Sequence, residues 1–271
     1  TPTVAPLAAN DKIRNTERVR RPGPRVAERV ATHLERSPVD ADLALRQWQG
    51  YVDALHAEGW RTIEVPPADD CPDAVFVEDT VVVYGDVAVI SRPGADQRKP
   101  ETAGTEQELR GLGYRIEHIE APETLDGGDV LKHDGTVWVG LGGRTTPGAV
   151  DQLRAHLAPL GAVVVGVPLA KVLHLKSAVT ALPDGTVIGW DPVVDDASVW
   201  ERYESVPEEP GCHVVVLDES TVLMSSAAPR TRARFEERGL RVVAVDIGEL
   251  EKLEGCVTCL SVRLRGAPGP T

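Results

Sequence analysis

Cysteine is sparse in this chain: four in 271 residues, at Cys71, Cys212, Cys256 and Cys259. That is too few for a disulfide framework at this length, so a reduced, cytoplasmic protein is expected. Cys256 and Cys259 form a C-x-x-C, but no histidine cluster accompanies them, which argues against zinc. Thioredoxin-like chemistry needs a helix after such a pair, and here a Val-containing strand from Leu260 to Leu264 follows. No apolar run is long enough to cross a membrane, and the first fifteen residues hold no apolar signal-peptide centre. Basic residues are outnumbered, 29 Lys and Arg against 42 Asp and Glu, for a formal charge of −13. That balance disfavours nucleic acid and suits a cationic ligand, although most of the acidic surface serves solubility. A Gly-rich phosphate loop is also missing. Arg20-Arg21-Pro22-Gly23-Pro24, after the first strand, is not one, which argues against an open doubly wound sheet.

What the chain does have is a repeat. A helix-like run ending in glycine and followed by a Val/Ile strand recurs at least four times. The glycines are Gly59, Gly113, Gly161 and Gly239, and the strands after them run over Arg61 to Val65, Tyr114 to Ile119, Ala162 to Val167 and Leu240 to Ile247. Glycine just past a helix supplies a left-handed cap that returns the chain to a sheet. Strands precede the helices at Val19 to Pro24, Val87 to Gly94, Thr136 to Gly143 and Thr221 to Ser226. A further unit, Ala178 to Leu217, has an acidic, Trp-containing stretch in place of its helix. In the first helix Leu45, Trp48, Val52 and Leu55 form one buried stripe. Five strand-strand-helix-strand units, the first completed by the C-terminal strand Leu260 to Arg265, close into a ring. The expected fold is therefore an α/β five-bladed propeller. With no internal linker, residues 1–271 are expected to form one domain with frayed ends at about 1–15 and 266–271.

Several segments carry residues suited to chemistry. Cys71 to Asp79 places Asp73, Glu78 and Asp79 around what reads as a short apolar strand, with Val75 and Val77 on one face. Carboxylates at the end of an apolar run are costly to bury unless they meet a cation. Leu125-Asp126-Gly127-Gly128-Asp129 suggests a tight backbone holding a carboxylate at a fixed spot, unlike the plain turns at Asp134-Gly135 and Asp184-Gly185. His174 lies between Leu173 and Leu175, whereas His33, His56, His118, His133, His156 and His213 read as helix-surface or turn residues. Arg98 and Arg144 each follow a strand-turn and are suited to holding a carboxylate. A thiol at Cys259, an imidazole at His174 and a carboxylate at Asp126 are the parts of a cysteine-nucleophile site, if the fold brings them together.

Phe76-Val77-Glu78-Asp79, Ser91 to Arg98, Leu125 to Leu131, Gly140 to Arg144, His174 to Ser177 and Glu249 to Val262 together resemble the dimethylarginine dimethylaminohydrolase family. The resemblance runs in order from about Arg18 to Arg265. It implies a guanidino-modifying propeller in which Cys259, rather than Cys256, is the nucleophile, His174 the general acid and base, and Asp126 the carboxylate that orients it. It further implies Glu78 and Asp79 around the substrate guanidinium, Asp73 at its α-ammonium, and Arg98 with Arg144 on its carboxylate. The implied reaction converts methylated arginines to citrulline and an alkylamine through a Cys-thiouronium, with no metal or organic cofactor. The implied partner is a small cationic guanidino compound, without nucleic acid or membrane; oligomeric state, a homodimer included, stays open. Arginine deiminase, another guanidino-group hydrolase or amidinotransferase, and a non-catalytic ribosome-binding protein on the same ring are the alternatives.

Overall fold

A computed structural model describes residues 15–28 and 37–264. Most of both expected frayed ends, His33, and Arg265 at the end of the expected C-terminal strand lie outside the described residues. The strands are β1 Thr16–Val19, β2 Arg61–Glu64, β3 Val81–Tyr84, β4 Val87–Ile90, β5 Arg115–His118, β6 Val130–His133, β7 Thr136–Leu141 and β8 Val163–Pro168. They continue with β9 Val179–Ala181, β10 Val187–Gly189, β11 Tyr203–Ser205, β12 Val214–Val216, β13 Thr221–Ser225, β14 Arg241–Val245 and β15 Ser261–Leu264. These form five three-stranded sheets: β15-β1-β2, β3-β4-β5, β6-β7-β8, β9-β10-β11 and β12-β13-β14. In each, the first strand runs antiparallel to the middle one, and the middle one runs parallel to the last.

A parallel neighbour needs a crossover, and a helix is the usual one. Helix α1 (Ala41–Ala57) joins β1 to β2, α2 (Thr102–Gly111) joins β4 to β5, α3 (Pro147–Leu157) joins β7 to β8, and α4 (Pro229–Glu237) joins β13 to β14. Between β10 and β11 the crossover is two short 3-10 turns, Asp191–Val193 and Ala197–Val199, as the acidic, Trp-containing stretch predicts. A short α5 (Gly248–Glu251) follows β14. The capping glycines sit where the repeat places them, with φ of 78° at Gly59, 87° at Gly113, 75° at Gly161 and 87° at Gly239. Asp40 caps α1 by accepting the Leu43 N–H at 2.9 Å. Trp48, Val52 and Leu55 are buried as the stripe requires, Leu45 is half-buried, and Ala44 and Tyr51 complete the buried face.

The first strand of every sheet contributes to the lining of one cavity of about 360 Å³, through Val81, Val130, Thr180, Val214 and Ser261 among others. Five sheets therefore surround one axis, as blades of a propeller. No ladder joins one sheet to the next among the described residues, so the ring is held by side-chain packing rather than by barrel hydrogen bonding. The sheet β15-β1-β2 brings together the two ends of the described chain.

Two expectations are corrected. Strand β1 stops at Val19, before the proline-flanked segment Pro22-Gly23-Pro24 that cannot supply ladder donors. Cys71 to Asp79 is not a strand: turns lead into a 3-10 turn, Val77–Thr80, closed by the Thr80 hydroxyl donating to Val77 O at 2.6 Å. Val75, Phe76 and Val77 are consequently all buried rather than alternating.

Candidate active site

The Asp126-Gly127-Gly128-Asp129 segment enters β6 through a 3-10 turn, Gly127–Asp129. Its glycines are required by close approach. A Cβ on Gly127 would lie 2.0 Å from Glu78 O, and one on Gly128 would lie 2.7 Å from both Asp79 Oδ1 and His174 Nδ1. The bare backbone lets the Gly128 N–H donate to Asp79 Oδ1 at 2.7 Å. Asp126, fully buried, accepts the Gly94 N–H on Oδ1 at 2.9 Å and faces His174 Nε2 with Oδ2 at 2.9 Å. Asp129 holds the backbone next to the histidine: the Leu175 N–H donates to Oδ1 at 3.0 Å, and the Thr145 hydroxyl donates to Oδ2 at 2.6 Å.

His174 is buried, which opposes its charge, but Asp79, the hydrogen bond with Asp126, and Asp129 together raise its pKa to about 10. It is an imidazolium at neutral pH. Burial pushes Asp129 up to about 7 despite the nearby imidazolium. Burial also opposes ionisation of Asp79, yet His174, Arg98 and the Gly128 N–H hold it well below the usual carboxylate range. Ligand-type atoms of Asp79, Asp126 and His174 lie within 4.8 Å of one another. Their contacts to the Gly128 and Gly94 amides, to Arg98 and to each other account for that closeness as an acid–base cluster.

Cys259 sits in the 3-10 turn Val257–Leu260, which packs on the turn carrying Glu78 and Asp79; that turn packs in its turn on Gly127–Asp129, beside His174. The thiol is buried, with Cys256 Sγ 3.4 Å away. The hydrogen bond shared with Cys256, then burial, then the charges on Cys256, Glu78 and Asp79, push the Cys259 thiol well above its usual range. The fold thus gathers the thiol, the imidazole and the carboxylate on one side of the ring.

A scan of family models finds no match. Comparison with known proteins is decisive nonetheless. A dimethylarginine dimethylaminohydrolase of Streptomyces coelicolor is 60% identical over 247 residues, covering 91% of this chain and 96% of that protein. The chain belongs to the dimethylarginine dimethylaminohydrolase family. A second member, from Pseudomonas aeruginosa, is 33% identical over 86% of this chain and 92% of its own. A solved dimethylarginine dimethylaminohydrolase from that organism, a cysteine-to-serine variant complexed with citrulline, superposes with a TM-score of 0.85 at 30% identity, covering 93% of this chain and 99% of that chain. The N-terminal domain of a cyanobacterial arginine dihydrolase shares the fold at 20% identity, with a TM-score of 0.82.

Within this dimethylarginine dimethylaminohydrolase family chain, the other residues expected around the substrate are placed as follows. Arg98 is buried and turned inward: its Nη1 pairs with Asp79 Oδ2 at 2.5 Å, its Nη2 with Glu101 Oε2 at 2.8 Å, and Nη2 also donates to the carbonyls of Asp73 and Phe76. These contacts buttress Asp79. Glu78 is ion-paired with Lys176 and lines the axial cavity. Arg144 differs from both. It is half-buried after the Gly142-Gly143 turn, makes no ion pair among the described residues, and a Cβ on Gly94 would lie 2.6 Å from its carbonyl oxygen. Asp73 is buried beside Arg98, with its Oδ2 4.0 Å from Arg98 Nε.

Residues that the sequence did not single out complete the frame. Asp129, Thr145 and the Gly94 amide position the histidine and its carboxylate, Glu101 balances Arg98, and Lys176 neutralises Glu78. The spacing of Arg98 and Glu101, three residues apart, was the available signal for that pair. His213, read as a helix-surface or turn residue, follows the 3-10 turn Glu209–Cys212, is half-buried, and donates from Nε2 to Ser177 O at 2.9 Å. Burial opposes its charge, but Cys212, the Ser177 carbonyl and Cys259 raise its pKa to about 9.

Proposed function

We propose that this chain hydrolyses Nω-methylated arginines, asymmetric dimethylarginine and monomethylarginine, to citrulline and dimethylamine or methylamine. One observation carries the reading: a buried imidazolium, His174, held 2.9 Å from Asp126 beside an ionised Asp79, whose turn packs against the turn that carries the buried Cys259 thiol. The charge count supports a cation as guest. Among the described residues, buried Asp73, Asp79 and Glu101 share Arg98, Asp79 and Asp126 share His174, and Glu78 pairs with Lys176, so Arg98 and His174 each serve more than one carboxylate. A planar guanidinium is suited to restoring that balance, with two parallel hydrogen bonds to a carboxylate.

In this reading Asp79 fixes the guanidinium, Asp73 takes the α-ammonium, and Arg144 takes the α-carboxylate. Glu78 and Arg98 act one step back, Glu78 through Lys176 and Arg98 by holding Asp79 ionised. The guanidinium also offsets the carboxylates that help keep the Cys259 thiol protonated, so on binding the thiol releases its proton to solvent and becomes the thiolate, His174 being protonated already. Cys259 Sγ adds to the guanidinium carbon, and the C=N electron pair moves onto nitrogen. His174 gives its proton to the departing dimethylamine nitrogen as the C–N bond breaks, which spares an amide-like anion. Water then attacks the thiouronium, His174 takes its proton, and cleavage of the C–S bond releases citrulline and returns the sulfur. All four cysteines are free, which fits a reduced, cytoplasmic setting. The same reading takes residues 1–271 as one domain.

The test is citrulline release from asymmetric dimethylarginine, monomethylarginine, arginine and agmatine assayed side by side. The two methylated arginines are expected to be turned over, and Asp126→Asn to lose a factor of about 10² to 10⁴ in kcat while KM moves little. Turnover of arginine alone would contradict the substrate assignment, and an unchanged Asp126→Asn enzyme would remove the orienting role.

A further inference from the structure

Cys256 takes no part in the chemistry proposed above, yet it lies closer to Cys259 than any substrate group needs to. The two Sγ atoms are 3.4 Å apart, and the Cys259 N–H donates to Cys256 O at 3.1 Å, so both cysteines belong to one tight turn. Such a turn brings its end Cα atoms within about 7 Å, and a disulfide spans roughly 4.4 to 6.8 Å between Cα atoms. Small side-chain rotations therefore suffice to bond the two sulfurs. The other cysteines offer a contrast inside the same molecule. Cys71 Sγ faces Gln97 O at 3.5 Å and Cys212 Sγ faces Glu209 O at 3.1 Å, with no second thiol beside either among the described residues.

We infer that Cys256 is a resolving thiol: oxidation of Cys259 by a hydroperoxide closes a Cys256–Cys259 disulfide that shuts the site reversibly. The shut-off, though not the disulfide itself, rests on the reading of Cys259 as nucleophile. In the first step Cys259, as the minor thiolate form left when its proton passes to solvent, attacks the terminal peroxide oxygen. An S–O bond forms, the O–O bond breaks, and the leaving oxygen takes a proton, giving a sulfenic acid and water or an alcohol. In the second step Cys256 attacks Cys259 Sγ; the S–S bond forms, the S–O bond breaks, and hydroxide leaves with the thiol proton as water. Two electrons pass from the thiol pair to the peroxide. A small dithiol reverses the outcome by exchange and is itself oxidised to its disulfide. The nearby thiol intercepts the sulfenic acid before a second peroxide makes the irreversible sulfinic acid.

The test uses the full-length protein treated with limiting hydrogen peroxide, read by intact mass, by peptide mapping and by citrulline release before and after dithiothreitol. Expected are loss of two hydrogens mapped to Cys256–Cys259, a fall in activity of more than about tenfold, and recovery with dithiothreitol. In Cys256→Ser, or in Cys256→Ala should the serine variant fail to fold, peroxide is expected to leave sulfinic acid on Cys259 that dithiothreitol does not rescue. Sulfinic acid on Cys259 at equal rates in wild type and Cys256 variants, without a disulfide, would overturn the resolving role and leave the nucleophile assignment standing. A disulfide that forms while citrulline release persists would overturn the shut-off together with the nucleophile assignment.

Discussion

A single methyl group on residue 128 would sit 2.7 Å from Asp79 Oδ1 and from His174 Nδ1 at once. Gly128→Ala is therefore expected to push the imidazole and the carboxylate apart, lowering kcat/KM by about a hundredfold or more. Overpacking of this kind also costs about 1–3 kcal/mol, measurable by urea unfolding, so rate and stability are both read. His174 makes a second residue-scale prediction. Its folded pKa of about 10 lies above the unfolded value of 6.5, so its charge stabilises the fold fully below pH 6.5 and progressively less as pH rises toward 10. The difference in unfolding free energy between wild type and His174→Gln should be largest in mildly acid solution and shrink through the alkaline range. A difference that grows with pH would mean the imidazole is buried neutral. Cys259, His174 and Asp126 were legible in the sequence because each stands in a distinctive local string. Asp129 was not, since its partners Thr145 and the Leu175 amide lie 16 and 46 residues further along the chain. Nothing local marks a carboxylate whose work is to hold a distant backbone.

At the scale of elements, the four left-handed glycines were read correctly because a cap is a local demand of the backbone. The helix missing from the fourth blade was legible for the same reason, since its stretch lacks the helical stripe. The segment Cys71 to Asp79 misled because an apolar run alone does not tell a strand from a chain of buried turns. Its true geometry aims Asp79 at Arg98 within the same blade and Glu78 at Lys176 from another. Both sides of the Glu78–Lys176 pair are buried, and it ties the turn before β3 to the turn before β9. Lys176→Met should destabilise the protein by about 3–5 kcal/mol, because it leaves a buried carboxylate unpaired. Glu78→Gln combined with Lys176→Met should recover part of that loss in urea unfolding; a double variant as unstable as the additive sum would deny the coupling.

For the whole molecule, the five sheets matter because their first strands line one axis, while the turns Val257–Leu260, Val77–Thr80, Gly127–Asp129 and Leu175–Ser177, which carry or adjoin the thiol, the carboxylates and the imidazole, pack on one another in succession. Convergence of this kind was predictable from the repeat, but its charge balance was not. The formal charge of −13 is spread over the surface, whereas the functional excess is a few buried carboxylates that only the packed structure reveals. The bond shared with Cys256 and burial come first in keeping the Cys259 thiol protonated, with the charges on Glu78 and Asp79 adding to them; in the proposed reading a bound cation offsets those charges. Acid-quenching the enzyme during turnover of asymmetric dimethylarginine and weighing the intact protein tests this most directly. A thiouronium adduct, the substrate less dimethylamine, should be found on Cys259 and should be absent from Cys259→Ser. Citrulline formation at an ordinary rate by Cys259→Ser, or an adduct mapped to Cys256, would contradict the account.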